Sequence, residues 1–174
     1  MPAPPPALID FGRVQLGGAA TQRVFLPALG LAASGAGFSA ARTAAGILIV
    51  FEPYELREVA TGSVRVRTRT GVVRIRLRGR GIDTIRPSVT VATPHAVRAG
   101  SIVTIRFEAS DNDLVRACTL RVGGRVIARL RYPASAYRWR VPSGLRARER
   151  ITVVAVDRAG NRREVTSGAF AVRQ

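Results

Sequence analysis

The sequence predicts an all-β protein built as two tandem β-sandwiches, and three observations support this. Apolar residues recur at every second position over many short segments, which is the periodicity of half-buried strands. Glycine, proline and asparagine separate these segments and indicate turns. No stretch keeps the 3.6-residue period of an amphipathic helix. The chain has 174 residues, 47% of them apolar, which is enough for two small cores.

The clearest strand pair is the segment 63–81, SVRVRTRTGVVRIRLRGRG. Apolar residues alternate with arginines on both sides of Thr70-Gly71, so the segment predicts a β-hairpin with one apolar side and one arginine side. With Thr70-Gly71 as a two-residue turn, Arg67 would lie opposite Arg74 and Arg65 opposite Arg76. The predicted arginine side holds Arg65, Arg67, Arg69, Arg74, Arg76, Arg78 and Arg80.

Like charges directly opposite each other destabilise a sheet by roughly some tenths of a kcal/mol per pair, so this hairpin needs a counter-charge from elsewhere. The nearest preceding acids in the sequence are Glu52, Glu55 and Glu58. Three acids are too few to neutralise seven arginines. The hairpin is therefore a candidate binding site for an anionic polymer.

The rest of the first half reads as short strands. We expect a strand, a glycine break and a second short strand within 8–17, then a strand at 21–26 that Pro27 either ends or marks as an edge strand. A loop of small residues follows, then a weak strand containing Phe38 and a buried strand at 47–51.

Ordered motifs in this half resemble a known family. They are 9–14 (IDFGRV) with 16–17 (LG), Phe38, 50–53 (VFEP), 62–64 (GSV) and 73–81 (VRIRLRGRG). This order resembles the ASH domains, the abnormal-spindle and Hydin-like domains of immunoglobulin-like fold, which are related to major sperm protein and recur in bacterial choice-of-anchor surface proteins. The pattern departs from the family at 28–30, where ALG stands in place of the usual Asn-x-Gly.

The second half repeats the all-β pattern. Strands are expected at 88–91, at 102–109, around Trp139, at 151–156 and at 165–172. A hairpin is expected at Gly123-Gly124. Pairing apolar residues with each other, as in Leu120 with Ala128, favours a three-residue loop at 123–125 that sets Val122 opposite Val126.

The motifs 109–111 (ASD), Trp139 and 155–161 (AVDRAGN) resemble bacterial Ig-like repeats of the fibronectin-like, adhesin-associated kind. Together the two resemblances imply two tandem immunoglobulin-like β-sandwich domains with a structural or adhesion role. They also imply partners among other protein domains or cell-envelope polymers, and a location at the cell surface or outside the cell. The predicted organisation is a Pro-rich leader at 1–6, an ASH-like sandwich at 7–82, a short linker at 83–87 and a bacterial Ig-like sandwich at 88–174.

The charge of the chain is strongly positive. All 28 basic residues are arginine, against 11 acids, which gives a formal net charge of +17. One explanation is a polyanionic partner such as nucleic acid, an anionic glycan or an anionic lipid. The other is the codon bias of a GC-rich genome, which explains arginine in place of lysine but not the shortage of acids. Both explanations remain open at the level of sequence.

Candidate catalytic residues are few. His95 is the only histidine, and no Gly-x-Ser-x-Gly motif accompanies it, so a serine triad is not predicted. Cys118, the only cysteine, alternates in phase with Leu120 and is predicted to be a small buried residue. Trp139 is predicted to pack in a core, although its flanking arginines would also suit stacking on a base or sugar. We expect a protein that is not an enzyme and needs no cofactor.

Asp111, Asp113 and Asp157 are candidate calcium ligands, because Ca²⁺ binds several carboxylate and carbonyl oxygens. The segment lacks the glycine and glutamate of an EF-hand loop, and turns between strands use the same residues to bond their own backbone. The sequence therefore favours no bound metal, and added Ca²⁺ is expected to leave the melting temperature almost unchanged.

The N-terminal segment has neither the basic region nor the apolar region of a signal peptide. No apolar run approaches the roughly 18 residues that span a bilayer. The sequence predicts neither a signal peptide in this chain nor a transmembrane segment, and it leaves the oligomeric state open.

Overall fold

The computed structural model describes residues 4–56 and 59–174, and every regular element in these residues is a β-strand. The chain divides into two compact units, Met1–Thr84 and Ile85–Gln174. No helix occurs in the described residues, so the predicted all-β class is confirmed. In the same residues there is accordingly no helix of the length and apolar character needed to cross a membrane. Residues 1–3 of the predicted leader, together with Arg57 and Glu58, lie outside this description.

Seven strands are described in the first unit. They are β1 (Leu8–Gln15), β2 (Ala20–Val24), β3 (Gly30–Ser34), β4 (Phe38–Thr43), β5 (Gly46–Phe51), β6 (Ala60–Thr68) and β7 (Gly71–Ile82). One sheet has the order β1-β7-β6-β3, and the other has the order β2-β5-β4. Strand β1 runs parallel to β7, and all other pairs in this unit are antiparallel.

The core of this unit lies between its two sheets. Ile47, Ile49 and Phe51 of β5 are fully buried, as the apolar run predicted, and they belong to one cluster with the inward residues of β6 and β7. Burying each such side chain contributes about 1.5–3 kcal/mol. Gly79 of β7 faces the same core, and a Cβ atom there would lie 2.5 Å from the Phe51 ring. Only glycine lets β7 pass this ring without a shift.

Two strands in this unit differ from the expectation. Strand β1 continues through Gly12 as one bulged strand, because Gly12 takes a positive φ of 66° and the register shifts between Asp10 and Arg13. Strand β3 occupies part of the expected small-residue loop. It pairs with β6 through backbone hydrogen bonds, which need no particular side chain, so its composition did not predict it.

The β6–β7 hairpin confirms the two predicted sides but not the predicted register. Thr68 pairs with Gly71, so the turn consists of Arg69 and Thr70. The hydroxyl of Thr68 accepts a hydrogen bond from the Thr70 backbone N–H (3.3 Å) and donates one to the Gly71 carbonyl (3.0 Å), which stabilises this turn. A register shift of two residues keeps every side chain on its own side of the sheet, so the alternation could not distinguish the two registers.

Ten strands are described in the second unit. They are β8 (Ser88–Val91), β9 (Ala96–Arg98), β10 (Ile102–Ser110), β11 (Val115–Val122), β12 (Arg125–Arg131), β13 (Ala136–Arg140), β14 (Arg148–Glu149), β15 (Ile151–Asp157), β16 (Arg162–Thr166) and β17 (Phe170–Arg173). The sheets have the orders β13-β10-β8, β12-β11-β15-β16 and β14-β17-β9. The expected strand at 165–172 is thus two strands, β16 and β17, in different sheets.

The β11–β12 hairpin also corrects one detail of the prediction. Leu120 lies opposite Ala128, as expected, but Val122 lies opposite Arg125 instead of Val126. Gly123 and Gly124 both have positive φ, 56° and 81°, which is the conformation of a two-residue type I′ turn. A bulge next to Leu120 absorbs the extra residue, so a tight turn and an apolar inner side coexist.

Each unit therefore packs its sheets around one apolar core, and the core of the second unit draws on β10, β11, β13, β15 and β17. Alternating inward residues from facing antiparallel sheets are the hallmark of immunoglobulin-like sandwiches. The protein has an all-β fold of two tandem immunoglobulin-like β-sandwich domains, as predicted.

Candidate functional site

An exposed surface rich in arginine covers the outer side of the sheet β1-β7-β6-β3. We call this surface the arginine face, and its residues are Arg13, Arg65, Arg67, Arg74, Arg76, Arg78 and Arg80, all of them exposed. Ile75, Leu77 and Gly79 alternate with the arginines of β7 and are buried, which turns those arginines outward. Six residue steps separate Arg74 from Arg80, so the row along β7 is about 20 Å long.

The composition of this surface differs from the prediction at two positions. Arg69 lies in the β6–β7 turn instead of on the ladder. Arg13 joins the face because β1 runs parallel beside β7 and sets Arg13 opposite Arg80. Alternation within a hairpin reveals its antiparallel partner, whereas a parallel partner far away in the sequence leaves no local signal.

One acid lies among the arginines. Asp10 of β1 pairs with Arg78, with 3.8 Å between Asp10 Oδ2 and Arg78 Nε, and both side chains are about half exposed. Such a surface pair contributes only about 0–1 kcal/mol. Asp10 is the only acid in the four strands of this sheet, so seven arginines face one carboxylate and six positive charges remain. Glu52 and Glu55 lie between β5 and β6, and Glu58 lies outside the described residues.

The observed register reduces the repulsion within the hairpin. Arg65 lies opposite Arg74, but Arg67 lies opposite Val72 and Arg76 opposite Ser63. The hairpin therefore contains one facing arginine pair instead of the two predicted, and the pair of Arg13 with Arg80 adds a second on the β1 side.

The neighbouring strand β3 leaves the arginines of β6 accessible. Its outward residues are small: Gly30 lies opposite Arg67, and Ala32 lies opposite Arg65. A Cβ atom on Gly30 would lie only 3.7 Å from Arg67 Nε, so the Arg67 side chain extends over the glycine. A surface with only small side chains beside the guanidinium groups can admit an extended ligand.

The second unit contains the aspartates proposed as calcium ligands. Carboxylate oxygens of Asp111 and Asp157 lie within 4.8 Å of each other, and we call these two residues the carboxylate pair. Asp113 does not complete a trio with both at that distance in the described part of the chain. Its carboxylate lies 3.7 Å from Arg158 Nη1, and its backbone N–H donates to Asp111 Oδ2 at 3.1 Å. The structure thus brings two of the three residues together.

Asp157 is fully buried, which the sequence analysis did not anticipate. A signal was available, because Ile151, Val153 and Ala155 are the inward residues of β15 and the same period of two reaches Asp157. Asp157 is both the last inward residue of β15 and the first residue of the turn at 157–161, and only the turn was predicted.

The remaining candidates lie where the sequence predicted. His95 is exposed between β8 and β9. Cys118 is 3% exposed within the second core, and burial raises the pKa of its thiol, which disfavours the reactive thiolate. Trp139 is also buried in this core, so its ring cannot stack on a base or sugar.

No protein-family model matches the chain, and no curated protein matches it. Among solved structures, the fibronectin(III)-like modules of CbhA from Clostridium thermocellum are similar at 16% identity, over 95% of this chain and 91% of that chain, with a TM-score of 0.48. The titin domains z1z2, solved in complex with telethonin, are 12% identical over 94% of this chain and 92% of that chain, with a TM-score of 0.45. The N-terminal four Ig domains of Dscam1 are 8% identical over 96% of this chain and 43% of that chain, with a TM-score of 0.48. Similarity at this level identifies neither a ligand nor a partner.

Proposed function

We propose that the chain is a non-enzymatic structural or adhesion module of a modular bacterial surface-type protein. The supporting observation is the placement of its two most reactive side chains. Cys118 is buried in a core with a raised thiol pKa, and His95 lies exposed in a loop. Nucleophilic catalysis needs a nucleophile within hydrogen-bond reach of a base, and this placement does not provide that pair. The bacterial surface setting rests on the sequence resemblances.

A binding assay with turnover as its second readout tests this proposal. The full chain is incubated with an immobilised acidic glycan or cell-envelope polymer, and both the bound protein and the chain length of the polymer are measured. We expect bound protein and an unchanged polymer. Release of shorter fragments would show an enzyme and overturn the proposal.

A second candidate function is supported by the arginine face, which we propose binds a linear polyanion. The observation behind it is that one side of a single sheet carries seven exposed arginines and one carboxylate. Guanidinium groups bind phosphate, sulfate and carboxylate through two parallel hydrogen bonds. Arginines repeat along β7 in steps of about 6.6 Å, which suits a polymer with repeated anionic groups better than a single small anion.

Retention on a heparin column tests this second function. The face variant carries Arg65→Ser, Arg74→Ser and Arg76→Ser. The control variant carries Arg98→Ser, Arg129→Ser and Arg173→Ser, three exposed arginines of the second unit. The two variants are matched, because each loses three charges and each loses one facing arginine pair, Arg65 with Arg74 or Arg98 with Arg173.

We expect the face variant to elute at a clearly lower salt concentration than the control variant, because contacts between arginines and anions weaken as salt rises. Equal elution of the two variants would mean that the net charge of the chain, and not the arginine face, governs retention. The second function would then be rejected, while the structural role would remain.

A further inference from the structure

Asp157 presents a charge problem inside the second unit. Its side chain is fully buried at the end of β15, opposite the buried Val115 of β11. Asp157 Oδ1 accepts a hydrogen bond from the Asn161 backbone N–H at 2.8 Å. Asp157 Oδ2 is buried and has no hydrogen-bond partner in the structure. A buried carboxylate oxygen without a donor is unfavourable in a protein interior, so Asp157 needs a further partner.

Asp111 adds a second negative charge close to the Asp157 carboxylate. Its carboxylate approaches that of Asp157 to within 4.8 Å, and two ionised carboxylates at this distance repel each other. A cation between the two groups would relieve this repulsion.

The guanidinium beside this loop serves another residue. Arg158 Nη1 lies 3.7 Å from Asp113 Oδ1, and no arginine in the described residues forms an ion pair with Asp157. The Asp113 side chain is only 9% exposed, and its Oδ2 is likewise buried without a hydrogen-bond partner. The loop at Asp111–Asp113 and the end of β15 thus present two buried carboxylate oxygens with no donor.

We propose that Asp111 and Asp157 bind a divalent cation, and that the cation is Ca²⁺. Two oxygens that bind one Ca²⁺ at about 2.3–2.6 Å can be no more than about 5 Å apart, and the carboxylate pair meets this limit. Calcium accepts irregular sets of oxygen ligands, whereas Mg²⁺ demands near-octahedral geometry and Zn²⁺ prefers nitrogen and sulfur. Asp113 does not reach both carboxylates, but its backbone N–H donates to Asp111 Oδ2 and so helps to fix the position of that carboxylate.

This proposal reverses the expectation from sequence that Ca²⁺ would leave the melting temperature unchanged. The short Asx turns expected there are present, since Asp111 Oδ2 accepts the Asp113 N–H. These turns use only some of the carboxylate oxygens. Because Asp157 Oδ2 is buried without a donor, a bound cation accounts for this oxygen and the turn alone does not.

Calorimetry on the full chain tests the proposal. After treatment with EDTA and buffer exchange, CaCl₂ is titrated into the protein, and the melting temperature is measured with and without the ion. We expect one Ca²⁺ per chain and a raised melting temperature. At a free ion concentration 100 times the dissociation constant, the ratio of folded to unfolded protein should rise about 100-fold. We expect a smaller shift with MgCl₂.

Single substitutions locate the ion. Asp111→Asn and Asp157→Asn should abolish the calcium-dependent shift, whereas Asp113→Asn, which keeps the backbone N–H that donates to Asp111, should change it much less. Asp10→Asn, which removes an exposed carboxylate of the first unit, is the matched control and should keep the full shift. Circular dichroism in EDTA shows whether each variant folds, and asparagine at position 157 can still accept the Asn161 N–H through its amide oxygen.

Two outcomes would overturn the proposal. The unmodified protein could show neither heat nor a shift at millimolar Ca²⁺, in which case the carboxylate pair does not bind calcium. Alternatively, Asp157→Asn could bind Ca²⁺ as tightly as the unmodified protein, which would place the ion at other residues.

Discussion

The arginine face of the first unit and the carboxylate pair of the second unit both place like charges close together, but they differ in exposure. The arginines of the face lie in water, where each guanidinium stays hydrated and repulsion between neighbours is small. Asp157 has no exposed surface. Charge on the exposed face should therefore affect binding more than stability, whereas charge in the buried pair should affect stability directly.

The largest expected effect concerns the packing beneath the arginine face. Gly79→Val would insert side-chain atoms into the space that the Phe51 ring occupies, and we expect it to lower the free energy of unfolding by about 1–3 kcal/mol. Arg76→Val changes a nearby outward residue of β7 and should stay within about 0.5 kcal/mol. Urea denaturation measures both. Equal losses in the two variants would contradict the assignment of inward and outward sides.

A smaller effect is expected from the carboxylate pair in the absence of metal. In EDTA, Asp157→Asn removes one of two neighbouring negative charges from a buried site, so the variant should be as stable as the parent chain or more stable by about 1 kcal/mol. Thermal melts monitored by circular dichroism measure this difference. A strong loss of stability in EDTA would indicate that the Asp157 charge itself stabilises the fold, and the contrast with the arginine face would then be wrong.

The smallest effect concerns repulsion across the hairpin. Replacing Arg65 and Arg74 with serine removes a facing pair and should raise the free energy of unfolding by about some tenths of a kcal/mol at low salt. The control replaces Arg67 and Arg76, which face Val72 and Ser63, and should give a smaller gain. Equal gains in the two double variants would show that the total charge matters instead of the register.

Much of the fold follows from the alternation of apolar residues, because side chains on a strand point to opposite sides with a period of two. This period correctly separated Val64 and Ile75 from the arginines beside them. It could not choose between registers that differ by two residues, and the Thr68 hydroxyl at the turn favours the one observed. In the second unit, alternation likewise failed to predict the register at the turn of the β11–β12 hairpin, because a bulge next to Leu120 shifts it.

The candidate sites were harder to predict than the fold, because each site combines residues that are distant in the sequence. Asp10 and Arg13 lie beside the arginines of β7 because β1 pairs in parallel with β7, and no local sequence pattern predicts this pairing. The proximity of Asp111 to Asp157 depends on the pairing of β11 with β15. Sequence reasoning named both residues, together with Asp113, as candidate calcium ligands but favoured no bound metal, because it could not show that Asp157 is buried.

The salt dependence of polyanion binding tests most directly whether the charge of this chain is organised into a binding surface. Affinity for a short DNA duplex, chosen as a regular linear polyanion, is measured by fluorescence anisotropy over a range of salt concentrations. For four to six contacts between arginine and phosphate, the plot of log affinity against log salt concentration should have a slope of about −3.6 to −5.4. The face variant should flatten this slope by up to about 2.7, whereas the control variant from the second unit should leave it nearly unchanged. Equal flattening by the two variants would contradict a localised binding surface.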